Sequence, residues 1–357
     1  MVSSRLTRKD VQVLSVLGRR PLEPIKVLSK EADMTTTTFS KRMKQLYNEG
    51  ILISISAEVS YSSVGLEQFF FFIETPFETI AIVERALDLH PYTRFRVRCL
   101  GETNGHFVMF AVPTGSLPLL LEFFEEIGSL GLIKGYRYDV SISSWAYTET
   151  DFKHYDVIDD SWDFDWRWWE VNFPETPSPL QDTPSVFSYM DDRDMRILRQ
   201  LTIDARDKKK EIADRAGIPN YHLTRRIKFF DDNNVVDAYR VIVHRNASRL
   251  FSTLLFECRC PISVTERFHH AVRELPFQST QIPTKDGFLL QTALPSLDLP
   301  NLGSILQKHC DDVKVSWSDY DSSMRYWFWD EPYLNGKWLS TRKYMVKEVL
   351  AGLKPMI

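Results

Sequence analysis

An α+β fold, laid down twice in one chain, is what this sequence predicts, and three observations predict it. Residues 10–52 and 194–236 align without a gap: Asp10-Val11-Gln12-Val13-Leu14 falls on Asp194-Met195-Arg196-Ile197-Leu198, Phe39 on Leu223, Arg42 on Arg226, Met43 on Ile227 and Ile51 on Val235. After each aligned stretch, apolar segments follow in the order strand, helix, strand, strand, helix, strand. The dipeptides Asn104-Gly105 and Asp286-Gly287, strong short-range hairpin signals, occupy equivalent places in that order.

Each aligned stretch reads as three helices. In the second, Met195, Ile197, Leu198 and Leu201 give the first helix its apolar spacing. Ile212, Ala213 and Ala216 make a short second helix that Gly217 closes, and Pro219 stands where a third begins. Leu223, Ile227 and Phe230 recur at i, i+4 and i+7 and form its buried stripe. In the first, Phe39, Met43 and Leu46 form the matching stripe, and Thr35 is the expected N-cap. The β-rich segments 51–55 and 235–243 follow as wings, completing two winged helix-turn-helix units. The strand-helix order then gives a ferredoxin-like βαββαβ unit over 68–143 and again over 252–320. The run Phe69-Phe70-Phe71-Phe72 makes both faces of its strand apolar, one for the helices and one for a partner sheet.

The expected organisation is therefore a winged helix-turn-helix at 1–60, a ferredoxin-like domain at 66–144, an acidic Trp- and Pro-rich connector at 145–189, a second winged helix-turn-helix at 190–246, a second ferredoxin-like domain at 249–321 and an aromatic tail at 322–357. In the connector, Trp162, Trp166, Trp168 and Trp169 are too apolar to stay in water and are expected to pack on the sheets.

Charge is regional. The whole chain is at -4, yet residues 1–52 carry ten Lys and Arg against five Asp and Glu, while residues 145–190 carry two against ten. A basic nucleic-acid coat is excluded and a local basic patch is not. No apolar run is long enough for a spanning helix, and no secretory signal is read in the first residues, so a cytoplasmic protein is expected. Four cysteines without framework spacing fit a reducing compartment. Cys258 and Cys260 beside His269 and His270 lack zinc-ligand spacing, so no metal and no cofactor is expected.

The stretch from Met190 to Val236, with its Ile212-Ala213 second helix and Arg225-Arg226-Ile227 third helix, resembles the Lrp/AsnC family of transcription regulators. The likeness covers roughly residues 5–143 and 190–320, and a tandem version is similar to archaeal members. Copy one departs from the pattern, with Leu28-Ser29 in the Ile-Ala slot. The resemblance implies a DNA-binding regulator, without enzymatic activity, that reads two half-sites of double-stranded DNA. The contact residues would be Thr36, Thr37, Ser40, Lys41, Lys44 and Gln45 in one helix and Asn220, Tyr221, Thr224, Arg225 and Lys228 in the other. It also implies an amino-acid-like effector near Gly101, Asn104 and Gly105, and either an intramolecular pseudo-dimer or a homodimer. Siroheme decarboxylases resemble the same two-domain plan. That alternative needs His and Arg converging on a pocket, for which the first half offers His106, Arg94, Arg96 and Arg98.

Overall fold

The computed structural model describes residues 5–353, so the outer ends of the expected first domain and of the tail, 1–4 and 354–357, lie outside the described residues. Helices α1 (Arg8–Arg19), α2 (Ile25–Glu31) and α3 (Thr36–Asn48) precede strand β1 (Leu52–Val59). Then come β2 (Leu66–Glu74), α4 (Ile80–Leu89), β3 (Thr93–Gly101), β4 (Gly105–Pro113), α5 (Leu117–Ser129) and β5 (Gly135–Val140). The connector holds β6 (Ala146–Thr148), β7 (Tyr155–Asp156), β8 (Ser161–Trp162) and α6 (Trp166–Val171). A second helical group follows: α7 (Asp192–Ile203), α8 (Lys209–Ala216) and α9 (Asn220–Asp232), with β9 (Val236–Val243) and the short α10 (Arg245–Ser248). The last units are β10 (Ser252–Arg259), α11 (Ile262–Ala271), β11 (Ser279–Thr284), β12 (Gly287–Leu294), α12 (Leu299–His309) and β13 (Asp312–Arg325), then β14 (Tyr333–Leu334), β15 (Lys337–Trp338) and α13 (Glu348–Ala351).

The helical groups are locked in the same way. Thr7 caps α1 and Asp191 caps α7, each in a reciprocal capping box with Asp10 or Asp194. Those buried carboxylates then receive a guanidinium from the third helix: Arg42 donates to Asp10 at 2.9 Å, and Arg226 donates to Asp194 at 2.6 and 2.8 Å. One arginine in each third helix is thereby spent on holding that helix to the first.

Nine strands form one mixed-origin antiparallel sheet, in the order β5-β2-β4-β3-β13-β10-β12-β11-β6. The halves join where β13 runs beside β3, from Ser316 opposite Gly101 to Arg325 opposite Phe95. The sheet curls so that inner faces meet: Phe70, Phe72, Val97 and Phe107 of the first half share a buried cluster with Leu255, Ile282 and Leu289 of the second. This is the face-to-face packing that the doubly apolar Phe run requires, achieved within one chain. On the outer side, Phe71 and Phe110 of the sheet pack against Phe124 of α5, in one buried cluster with Val83 and Leu87 of α4.

The aromatic connector packs largely as expected. Trp169 is fully buried and donates to the Ala271 carbonyl at 2.9 Å, and Trp166 donates to Asp298 at 2.7 Å. Trp168 departs from this and stays half exposed. The two wings do not project separately. Strands β1 and β9 pair with each other, Leu52 opposite Val243 through Val59 opposite Val236, as a separate two-stranded sheet. No helix among the described residues is long and apolar enough to cross a membrane.

Candidate functional site, an arginine-lined cavity

Between the paired wings and the inner face of the large sheet lies a cavity of about 520 Å³, a size ordinary for a small-molecule site. Its roof is β1 and β9, its floor is β3 and β10 to β13, and the segment Tyr326-Trp327 closes one side. The charged groups on its wall are Arg94, Arg240, Arg245, Arg325 and Glu58. The wall itself carries four guanidiniums and one carboxylate, and the carboxylates just behind it decide how much of that charge is left over.

Three of the four arginines are already neutralised. Arg240 is paired with Glu149 and lies 3.8 Å from Glu58, and it donates to Thr280 at 3.1 Å. Arg325 donates to Glu58 at 2.5 Å. Arg245 donates to Asp321 at 2.8 Å and stacks 4.6 Å over the Tyr320 ring. Arg94 differs. It is 5% exposed, and its Nε, Nη1 and Nη2 have no hydrogen-bond partner among the described residues. Only ring faces approach it, with Tyr61 at 5.5 Å and Phe328 at 5.7 Å from the guanidinium carbon. Burial pushes its pKa down from the ordinary arginine value, the Coulombic pull of Tyr61 opposing. An arginine does not discharge in a protein, so it remains a desolvated cation without a counter-charge.

A backbone irregularity puts it there. Thr93 faces Phe110 and Phe95 faces Met109, leaving Arg94 as the extra residue of a β-bulge. Past the bulge the strand alternates normally: Phe95 and Val97 line the cavity, while Arg96 and Arg98 point to the helix side. Before it, Thr93 also bonds helix-ward, to the Leu87 carbonyl at 2.6 Å. The bulge re-aims one side chain inward, a recurrent use of bulges beside binding sites.

The residues expected to converge therefore divide. Arg96 donates to Asp88 at 2.5 and 3.0 Å, and Arg98 to Glu84 at 2.7 and 2.9 Å. His106 is wholly buried beside them, its Nδ1 3.0 Å from Thr75 and its Nε2 3.6 Å from Glu84. Burial alone would raise the Glu84 pKa, but His106, Arg98 and Arg96 outweigh it and hold the carboxyl at about 2. This closed network lies behind the sheet and is structural. Of the four, Arg94 alone is among the residues lining the cavity, with its guanidinium nitrogens buried at the wall.

Gly101, Asn104 and Gly105 form the β3–β4 turn and do not line the cavity. Gly105 has φ 156°, and a Cβ there would collide with the Ile73 carbonyl, so the residue is fixed by strand packing. Asn104 donates back to the Gly101 carbonyl at 3.1 Å, closing the turn on itself. Cys258, Cys260 and Cys310 are buried free thiols, and no group of metal-ligating side chains occurs among the described residues.

The residues expected to touch DNA are accessible. Thr36, Thr37, Lys41, Lys44 and Gln45 are exposed on α3, with Ser40 half-buried; Asn220, Tyr221, Thr224, Arg225 and Lys228 are exposed on α9. None of them lines the cavity.

With this geometry in hand, the comparisons with known proteins bear on the fold. No protein-family model and no curated protein matches the chain. Among solved structures, the siroheme decarboxylase NirDL is similar over 97% of this chain and 99% of its own, at 12% identity and a TM-score of 0.57. The same enzyme in complex with an iron-uroporphyrin III analogue gives 0.56 over the same shares. An AsnC-family regulator from Agrobacterium tumefaciens is 18% identical but covers only 40% of this chain, at a TM-score of 0.34.

The expectation of a DNA-binding regulator without enzymatic activity is thus corrected. The likeness that spans the chain is to the fold of an enzyme. The structure adds that the wings pair with each other over a lined cavity, a site the DNA-reading expectation did not include. The signal that sequence reading missed was the bulge at Arg94; only the pairing register reveals it.

Proposed function

We infer that this chain is a decarboxylase of polycarboxylated tetrapyrroles, acting in the cavity beneath the paired wings. The observation that carries the reading is the unpaired, buried Arg94 in a wall of four arginines and one glutamate. A buried cation without a partner is costly, and a ligand carboxylate relieves that cost by forming a charge-assisted, two-pronged pair. A uroporphyrin-type macrocycle suits the site twice over. One of its carboxylates would answer Arg94, the one wall arginine without an acidic partner, and its flat ring matches apolar walls such as Phe95, Val97, Met109 and Trp145. The chain-wide fold likeness to a siroheme decarboxylase supports the same reading.

The reaction needs little beyond position. A side chain R–CH2–COO⁻ loses CO2, and the electron pair left on carbon takes a proton to give R–CH3. The protein holds the carboxylates, excludes water and supplies that proton. Incubation of the purified protein with siroheme, followed by mass spectrometry, tests this. Products lighter by one CO2 per event are expected. Unaltered siroheme after prolonged incubation with stoichiometric protein overturns the reading.

A further inference from the structure

We propose that Tyr61 is the proton donor of this cavity, delivering the phenolic hydrogen to the carbon that has lost CO2, with Arg94 beneath its ring as the charge that makes the transfer possible. The proposal rests on the decarboxylase reading and names a residue that the fold likeness does not assign.

Tyr61 stands on the cavity wall at the start of a 3-10 turn, Tyr61–Val64, that links the wing strand β1 to β2. That turn is held from several sides. Ser60 donates to the Val235 carbonyl at 2.9 Å, Ser63 Oγ to the Ser60 carbonyl at 2.7 Å, and Trp338 Nε1 to the Val64 carbonyl at 2.8 Å. The ring itself is stacked on Phe328, centroids 6.1 Å apart. A catalytic group needs such support to hold its geometry. Burial pushes the pKa of its hydroxyl up, and the Arg94 guanidinium, 5.5 Å from the ring centroid, opposes that rise.

Other tyrosines on the wall are less suited. The Tyr326 hydroxyl is committed to Asp88. Tyr147 stacks against Arg240, whose charge is already answered by Glu149 and Glu58. Tyr61 alone of these stands beside a cation with no counter-charge.

That pairing keeps the charges balanced through the reaction. While substrate is bound, its carboxylate faces Arg94. When the C–C bond breaks, CO2 leaves neutral and the negative charge stays on carbon. The O–H bond of Tyr61 then breaks as the new C–H bond forms, and the charge moves to the phenolate beside Arg94. Water returns a proton to the phenolate, so the net change is one carboxylate and one proton converted to a methyl group and CO2.

The test is Tyr61→Phe, read by binding and by turnover separately. Optical titration with iron uroporphyrin should show affinity within about threefold of wild type, because the ring and its stacking remain. Decarboxylation should fall ~100-fold or more, the usual scale for losing a general acid. Wild-type turnover with an equally fast Y61F overturns the proton-donor role and leaves the decarboxylase reading standing. Absence of wild-type turnover overturns both. Should Y61F fail to fold, 3-fluorotyrosine placed at 61 keeps the ring's shape and makes the phenol more acidic. The alkaline limb of the rate profile should then move to lower pH, and an unmoved limb rejects the assignment.

Discussion

Arg94 and Arg96 are two residues apart on one strand and meet opposite circumstances. On the helix side, Arg96 and Arg98 are answered by Asp88 and Glu84, with His106 packed beside them. On the cavity side, Arg94 has aromatic rings and no acid. Both regions are buried and rich in cations, yet of these arginines Arg94 alone lacks an acidic partner among the described residues. Burial of an arginine is therefore uninformative until its partners are counted. A satisfied guanidinium belongs to the fold, and an unsatisfied one is built for something that arrives.

The difference can be broken from either side. Arg94→Met should have the largest effect on binding and the reverse effect on the fold. Affinity for iron uroporphyrin in an optical titration should fall about thirtyfold or more, since losing one member of a buried charged pair costs ~2 kcal/mol or more. The ligand-free protein should meanwhile melt at a higher temperature, because an uncompensated buried charge has been removed. A lower melting temperature with unchanged affinity would make Arg94 a structural residue like its neighbours.

Glu84→Gln should do the opposite. Breaking the network behind the sheet should destabilise the protein by about 3 kcal/mol in denaturant titration and leave cavity binding nearly intact. The linked pH dependence has a defined sign. Glu84 sits below its ordinary 4.5, at about 2, so its contribution is complete above 4.5 and is lost as pH falls toward 2. The variant should show a flatter loss of stability across that acid window.

Gly105→Ala sharpens the reading of the β3–β4 turn. The strained φ and the Ile73 carbonyl predict a destabilisation of about 1–3 kcal/mol without a specific change in ligand affinity. The smallest effect belongs to Arg225→Ala with Lys228→Ala. Both side chains are exposed and remote from the cavity wall, so stability should move by less than about 0.5 kcal/mol and decarboxylation should be unchanged.

Local rules made much of the fold legible. The stripe Leu223, Ile227 and Phe230 produced α9, Gly217 ended α8, and Asn104-Gly105 turned β3 into β4, because each depends on neighbours in sequence. The candidate site depended on distant events. Period-two alternation puts Arg94, Arg96 and Arg98 on one face, and a single unpaired residue in the β3–β4 register undoes that. The wings were visible as β-rich segments, but their pairing joins residues nearly two hundred positions apart. The hydroxyl- and lysine-bearing faces of α3 and α9 are exposed as read, yet exposure says nothing of what they meet. Arg42 and Arg226, aligned in the repeat, close matching buried pairs with Asp10 and Asp194.

A crystal structure of the protein grown with iron uroporphyrin III tests the central claim most directly. The macrocycle is expected beneath the β1–β9 roof, with a side-chain carboxylate within hydrogen-bond distance of both terminal nitrogens of Arg94. A macrocycle bound elsewhere, or seated in the cavity with Arg94 still facing only Tyr61 and Phe328, would contradict it.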